Sequence, residues 1–285
     1  MLTGSHLKSG LATALRLIET EKDHINAINV YPVADGDTGT NILLTIKGAM
    51  SKVNGFTEAS LVAREIAEGM LESAKGNSGV ILSQFFWGFM ESIEEKAILT
   101  NADFARALVN GTKMAYMAVD NPVEGTILTV MKAAANAAIE NVNLPEKDFL
   151  NAIFEKAIES LNETPELLAK LGKPKVIDSG AYGFVLLLEG FVRAAGSDAN
   201  FRIEATKNYK ETTEENLFCS NFLVELNEKV EREKLKEELR KMGNSLVVVN
   251  NEKVLKVHIH TQDPEAVKNV LSSLGNMKNV RIERI

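Results

Sequence analysis

The chain has 285 residues, 45% apolar and 25% charged, with a formal net charge of −7. That suits a globular protein of one large or two modest domains and argues against a broad nucleic-acid surface. No stretch nears the roughly 20 apolar residues of a membrane span, the start lacks a signal peptide's basic and apolar regions, and one cysteine permits no internal disulfide, so a soluble, cytoplasmic protein is expected.

Leu7, Leu11, Leu15 and Ile18 recur on one helical face and predict a first amphipathic helix. The turn that follows, Asn29-Val30-Tyr31-Pro32-Val33-Ala34-Asp35-Gly36-Asp37-Thr38-Gly39-Thr40-Asn41, carries two carboxylates one residue apart and runs into a helix with Ile42, Leu43, Leu44 and Ile46. At about 4 Å two such charges repel by roughly 4 kcal/mol at an effective dielectric near 20. A fold that gathers them usually supplies a cation, and Mg²⁺ favours carboxylate oxygens together with phosphate oxygens. The same residues also suit an ordinary turn and helix start: Asp35-Gly36 is a good turn pair, and Asp37 or Thr38 could N-cap the helix. An EF-hand calcium loop is disfavoured, because counting from Asp35 the sixth position is Thr40 and the twelfth Ile46.

Further helices are predicted over about 38–53, 57–74, 78–94, 101–119, 125–141, 146–161 and 179–196, with glycines and prolines mostly at or near their boundaries. Residues 1–200 thus read as one domain of eight helices. Three of its segments are small, polar and glycine-bearing, and each leads into a helix: Gly76-Asn77-Ser78-Gly79, Glu124-Gly125-Thr126 and Asp178-Ser179-Gly180-Ala181. Each alone is readable as an ordinary helix start. Together they suit phosphate, because helix N-termini present free N–H groups and partial positive charge and glycine lets a ligand approach the backbone. A barrel of antiparallel helices could bring several of these ends to one rim.

Residues 201–214 are polar and read as a linker. Over 215–285 the period changes. Strands are expected at Phe218–Leu226, Ser245–Val249, Val254–His260 and from Val280 to the end, with helices at Lys234–Met242 and from Asp263-Pro264 to Leu274, and a hairpin at Asn250-Asn251. The order βαββαβ is that of a ferredoxin-like sandwich. His258 and His260, two apart on a strand, face one side. Cys219 lies on the first strand in phase with Asn221 and Glu225. First and third strands are central neighbours in such a sheet, so Cys219, His258 and His260 could converge on its open, helix-free face. That ligand set suits zinc with one open position; the other reading is two surface histidines and an unrelated buried thiol.

No Gly-x-x-x-x-Gly-Lys-Ser/Thr occurs, and no kinase His-Arg-Asp or Asp-Phe-Gly. The segment 29–41, Gly76-Asn77-Ser78-Gly79-Val80-Ile81-Leu82-Ser83-Gln84, Pro122-Val123-Glu124-Gly125-Thr126-Ile127-Leu128-Thr129-Val130 and Asp178-Ser179-Gly180 closely resemble the ATP-binding subunit of bacterial fatty acid kinase, whose N-terminal domain is similar to the L domain of dihydroxyacetone kinase. The resemblance covers essentially the whole chain. It implies an all-α, eight-helix antiparallel barrel holding ATP or ADP through two Mg²⁺ ions on Asp35 and Asp37. Asn29 stands nearest to a third, upstream ligand. Thr40, Asn41, Asn77, Ser78 and Gly79 match positions expected at the phosphates, and Thr126 and Ser179 are further nucleotide candidates. Lys75 stands where relatives often carry arginine.

The resemblance further implies catalytic and metal-associated roles for Cys219, His258 and His260, with phosphoryl transfer from Mg-ATP to a fatty acid carboxylate presented by a DegV-type carrier protein. Typical members continue with a further C-terminal region after the second domain, so this chain is expected to be either a fragment or a short form lacking that region. A homodimer is a possible assembly. The rival readings are a subunit of a dihydroxyacetone-type kinase and a non-catalytic ATP/ADP-binding regulatory protein.

Overall fold

The computed structural model describes residues 2–203 and 217–284. The linker expected over 201–214 lies, beyond residue 203, outside the described residues. Among them no helix is long and apolar enough to cross a membrane.

The N-terminal domain consists of β1 (Leu2–Thr3), α1 (Gly4–Ala27), α2 (Thr38–Lys52), α3 (Ala59–Ser73), α4 (Gly76–Glu91), β2 (Ile98–Leu99), α5 (Asn101–Ala118), α6 (Ile127–Glu140), α7 (Glu146–Lys170) and α8 (Ser179–Ala194). Each helix packs on the next and α8 closes on α1, so the expected eight-helix ring is present. Its interior is filled. Leu11, Ile18, Ile42, Ile66, Phe149, Tyr182 and Phe184 are fully buried, and Phe85 meets Phe184 edge-on with ring centroids 5.2 Å apart. Side chains of this size contribute roughly 1.5–3 kcal/mol each on burial.

Helix α7 runs nine residues past its expected end at 161, straight through Pro165. A proline there leaves the carbonyl of Leu161 without its usual N–H partner. The hydroxyl of Thr164 donates to that same carbonyl at 2.7 Å. The neighbouring side chain thus replaces the missing bond, and the helix continues.

The second domain contains β3 (Phe218–Leu226), α9 (Arg232–Leu239), β4 (Asn244–Asn250), β5 (Val254–Thr261), α10 (Pro264–Ser272) and β6 (Gly275–Arg284). The sheet is antiparallel in the order β4-β5-β3-β6, the ferredoxin-like arrangement with the first and third strands of the domain at its centre. Phe222, Val224, Val248, Val257 and Ile259 point to α9 and α10 and form the domain core with Leu235, Leu239, Val267 and Leu271. Strand β6 begins five residues before the expected Val280; its early residues are polar because it is an edge strand and largely exposed.

The opposite, helix-free face of the sheet meets the barrel. Val247 and Val249 pack with Leu71, Ala74, Val80 and Ala118, and Val119 forms an isolated β-bridge with Val247. Polar ties surround this apolar contact: Lys236 Nζ donates to the Met117 carbonyl at 3.1 Å, Lys75 pairs with Glu283 at 2.7 Å, and the Arg240 guanidinium grips both oxygens of the Asp120 carboxylate. The docking brings the sheet's polar residues onto the barrel rim.

Candidate active site between barrel rim and sheet

A cavity of about 540 Å³ lies between the two domains, within the range typical of small-molecule sites. The barrel contributes the loop before α2 and the starts of α2, α4, α6 and α8; the sheet contributes residues of β4 and β5, including His258 and His260.

The start of α2 explains how two carboxylates stay available. Asn26, near the end of α1, accepts the N–H groups of Gly39 at 2.7 Å and Thr40 at 3.2 Å through its Oδ1. Asn29 Oδ1 accepts the N–H of Thr38 at 3.0 Å and also the Thr38 hydroxyl. Asp37 occupies the N-cap position, yet its side chain makes no capping bond. Two asparagines from outside the helix do the capping, and Asp35 and Asp37 are left to line the cavity. Burial and the neighbouring Asp37 charge raise the Asp35 carboxyl to about 7, so near neutrality Asp35 is partly protonated. Asn41 Nδ2 holds Asp37 Oδ1 at 2.7 Å, while its own Oδ1 is buried without a partner.

Three expected contacts take other roles. Asn29 has both lone pairs of Oδ1 committed to Thr38 and its Nδ2 bonded to the Val33 carbonyl at 2.6 Å, so it braces the loop instead of supplying a third metal ligand. Thr40 faces α1, where its hydroxyl accepts from Asn26 Nδ2 at 3.1 Å; Thr38 lines the cavity in its place. Gly79 donates its N–H to the Lys75 carbonyl at 3.2 Å and lies off the cavity. A Cβ there would stand 2.5 Å from Thr45 Oγ1, so this glycine serves close packing of α4 on α2.

The other expected nucleotide residues, Asn41, Asn77, Ser78, Thr126 and Ser179, all line the cavity. Gly76 has φ +63, the left-handed region that favours glycine, and a Cβ on it would collide with the Asn41 amide. Among the described residues no protein group takes the N–H of Asn77 or Ser78, and Asn77 Oδ1 is a buried orphan. These are free donors at a helix N-terminus, which is what an anion needs.

Asp178 belongs to a segment the sequence singled out, but its role was not legible. Its Oδ1 caps α8 through the Ala181 N–H at 2.7 Å. A Cβ built on Gly180 would lie 3.3 Å from Ser78 Oγ and 3.5 Å from Ile127 Cβ. The starts of α4, α6 and α8 therefore converge. Burial outweighs the capping bond and pushes Asp178 up to about 7.

On the sheet, register places Cys219 opposite His260 and Asn221 opposite His258. The ligand atoms of Cys219, His258 and His260 all lie within 4.8 Å of one another. The three are 1–2% exposed, which excludes the surface-histidine reading. His258 Nε2 and His260 Nδ1 are buried without partners. Burial drives the His258 imidazole well below its ordinary value and His260 to about 4, so both are neutral at pH 7. Burial together with the negative Asp37 and Asp35 pushes the Cys219 thiol up to about 12.

A tetrahedral ion with bonds of roughly 2.0–2.3 Å needs ligand atoms roughly 3.3–3.8 Å apart, an adjustment of about 1 Å within reach of side-chain rotation. Neutral imidazoles with orphaned nitrogens fit a soft divalent cation. Asn221, absent from any motif, connects the cluster to the barrel: its Oδ1 accepts the Gly76 N–H at 3.2 Å and lies 3.1 Å from His258 Nδ1, and its Nδ2 donates to Cys219 Sγ at 3.5 Å.

Comparison with known proteins agrees with this two-part organisation. Residues 32–193 match the DAK2 domain, and residues 215–285 match the middle domain of FakA-like fatty acid kinase proteins. Uncharacterised proteins of Staphylococcus epidermidis and of Staphylococcus aureus strain USA300 are each 35% identical to it over 94% of its length. The chain spans about half of these curated relatives, 52% and 53% respectively. Among solved structures, the dihydroxyacetone kinase from C. freundii in complex with AMP-PNP and Mg²⁺ aligns at 20% identity and a TM-score of 0.45, covering 66% of this chain and 33% of that one.

Proposed function

The chain belongs to the DAK2 domain family, and from that premise we propose that it is the nucleotide-binding subunit of a kinase that transfers the γ-phosphoryl of Mg-ATP to a fatty acid carboxylate presented by a DegV-type carrier. The product would be an acyl phosphate, with ADP retained at the rim. One observation carries the reading: the Asp35/Asp37 pair on the barrel and the imidazoles of His258 and His260 on the sheet line the same cavity. The fatty acid kinase-like match of the second domain supports the choice of acceptor.

Asp35 and Asp37 are the residues that would hold magnesium, which supplies charge neutralisation to the phosphates when bound. The free N–H groups of Asn77 and Ser78 are placed to receive phosphate oxygens, and Asn41 Oδ1 and Asn77 Oδ1 are acceptors awaiting a partner. Thr126 and Ser179 would orient the nucleotide. Cys219, His258 and His260 would hold zinc and so fix the acceptor carboxylate. Magnesium bound beside the cluster and zinc within it would each act against the burial and the negative charge that keep Cys219 protonated.

The acid–base state of the two imidazoles favours a carboxylate acceptor over a polyol beside them. A fatty acid is already ionised at neutral pH and needs no base. A triose hydroxyl must lose a proton, and the two imidazoles, both held below their ordinary value by burial, are weak bases.

Purified protein would be assayed with Mg-ATP, a fatty acid and a DegV-type carrier. Acyl phosphate formation, lost in Asp35→Ala/Asp37→Ala together with magnesium-dependent ADP binding, is the expected result. Product with dihydroxyacetone alone, or tight nucleotide binding with no product from either acceptor, would refute it in favour of the polyol kinase or the regulatory protein.

A further inference from the structure

We propose that Asn221 is a positioning residue that fixes the tautomer of His258, placing the ring proton on Nδ1 and leaving Nε2 as the bare lone pair of the Cys219/His258/His260 cluster. The inference rests on reading that cluster as a ligand set, as above.

His258 Nδ1 faces two groups, Asn221 Oδ1 at 3.1 Å and Cys219 Sγ at 4.0 Å, and the nearer oxygen is the stronger partner. A backbone N–H can only donate, so the Asn221 atom 3.2 Å from the Gly76 nitrogen must be the carbonyl oxygen. The opposite amide orientation would set two donors against each other. It would also remove the Nδ2 donor from Cys219 Sγ, at 3.5 Å. With the amide fixed by Gly76, the oxygen 3.1 Å from His258 Nδ1 is an acceptor, and a neutral imidazole meets an acceptor only with N–H. Nε2 then carries the lone pair, and it is the nitrogen that is buried with no partner. Metal-binding histidines commonly have their second nitrogen fixed in this way by an acceptor, and loss of such a partner typically costs about 10–100-fold in metal affinity.

Asn221 differs from an ordinary partner of this kind in what fixes it. The amide is held by the first residue of α4 in the other domain, where Gly76 adopts φ +63 and Lys75 provides no side-chain cap. Asn221 thus caps α4 at the phosphate end of the cavity and orients His258 with the same oxygen. The tautomer of the cluster is set by the docked barrel.

The test is long-range ¹H–¹⁵N correlation of histidine side chains in the metal-free, full chain near pH 7.5, with His258→Gln for assignment. His258 should show a protonated Nδ1 and a bare Nε2. Asn221→Ala should release the ring to a mixture or to the Nε2–H form and weaken Zn²⁺ binding by about 10–100-fold in titration with the metal alone. Asn221→Asp keeps an acceptor of the same shape and should preserve the Nδ1–H tautomer, which provides a readout if the alanine variant does not fold.

An Nε2–H tautomer in the wild-type protein overturns the proposal, as does an unchanged spectrum and a Zn²⁺ affinity within about twofold in Asn221→Ala. Failure here is separable from failure of the kinase reading. A protein with the expected tautomer that binds no Mg-ADP refutes only the latter, and one that binds Mg-ADP with the opposite tautomer refutes only the former.

Discussion

Replacing Asp178 with asparagine measures what the rim costs the fold. The carboxyl caps α8 through the Ala181 N–H at 2.7 Å, and an asparagine Oδ1 can accept the same bond, so the helix start survives the change. What disappears is a buried titratable group. Asp178 is raised from 3.8 to about 7 by burial, so the folded protein holds a proton that the unfolded chain gives up. The folded value lies above the unfolded one, and the contribution of this group to stability therefore falls as pH rises from about 4 to 7. At about 1.36 kcal/mol per tenfold change in proton affinity, wild type should lose about 3 kcal/mol between pH 5 and 8.5 that Asp178→Asn does not. Urea unfolding of both proteins at the two pH values, followed by far-UV circular dichroism, gives the comparison; the Asp35/Asp37 pair is common to both and cancels. A stability difference between the proteins that is the same at pH 5 and 8.5 would refute the argument. Asparagine caps a helix as well as aspartate does, so a carboxyl kept at this cost answers to the cavity and not to the helix.

Magnesium without nucleotide should raise the melting temperature more at pH 8 than at pH 5, because Asp35, raised to about 7, must release its proton to bind a cation; an equal rise at both pH values, or one that persists in Asp35→Asn, would contradict this. Gly79→Ala should destabilise the protein by about 1–3 kcal/mol, since its Cβ would meet Thr45 Oγ1 at 2.5 Å, as read from the denaturation midpoint. Gly76→Ala, forced to φ +63 against the Asn41 amide, should in addition weaken Mg-ADP binding in calorimetric titration. Iodoacetamide at pH 8 should modify Cys219 in the metal-free native protein about three orders of magnitude more slowly than in the urea-unfolded chain, because the thiol is pushed up to about 12 and buried; comparable rates by mass spectrometry would count against the buried cluster.

Much of this arrangement is legible in the residues. Helices with an unbroken apolar face, such as α1 with Leu7, Leu11 and Ile18, follow from periodicity alone. The sheet order follows from βαββαβ, and it predicts correctly that β3 and β5 are neighbours. What was not legible depends on side chains from elsewhere in the fold. Asn26 and Asn29 cap α2 from outside, so the local pattern assigned the cap to Asp37 or Thr38. Thr164 replaces a backbone donor and lets α7 pass a proline that reads as a stop. Thr40 and Gly79 follow motif spacing, but a helix turns successive residues by about 100°, and these two turn toward neighbouring helices while Thr38 and Ser78 turn to the cavity. Asn221 carries no motif at all, because its importance comes from a contact 145 residues distant in sequence.

The two halves of the site lie on different domains, and the kinds of contact between them divide the work of holding them together. The Arg240–Asp120 pair is bidentate but nearly half exposed on the arginine side, and such pairs contribute at most about 1 kcal/mol. Lys75–Glu283 is likewise open on the glutamate side. The apolar cluster of Val247, Val249, Leu71, Ala74, Val80 and Ala118 is fully buried and supplies most of the adhesion. Apolar contact is non-directional, however, and would tolerate a sliding sheet. The Val119–Val247 bridge and the Asn221–Gly76 hydrogen bond are directional, and both lie beside the cavity. A slip of one residue at that bridge would turn the β4 side chains to the wrong face, and loss of the amide contact would uncouple His258 from α4. Adhesion therefore comes from the valines, and the placement of the imidazoles against the aspartates comes from a few hydrogen bonds that add little to stability.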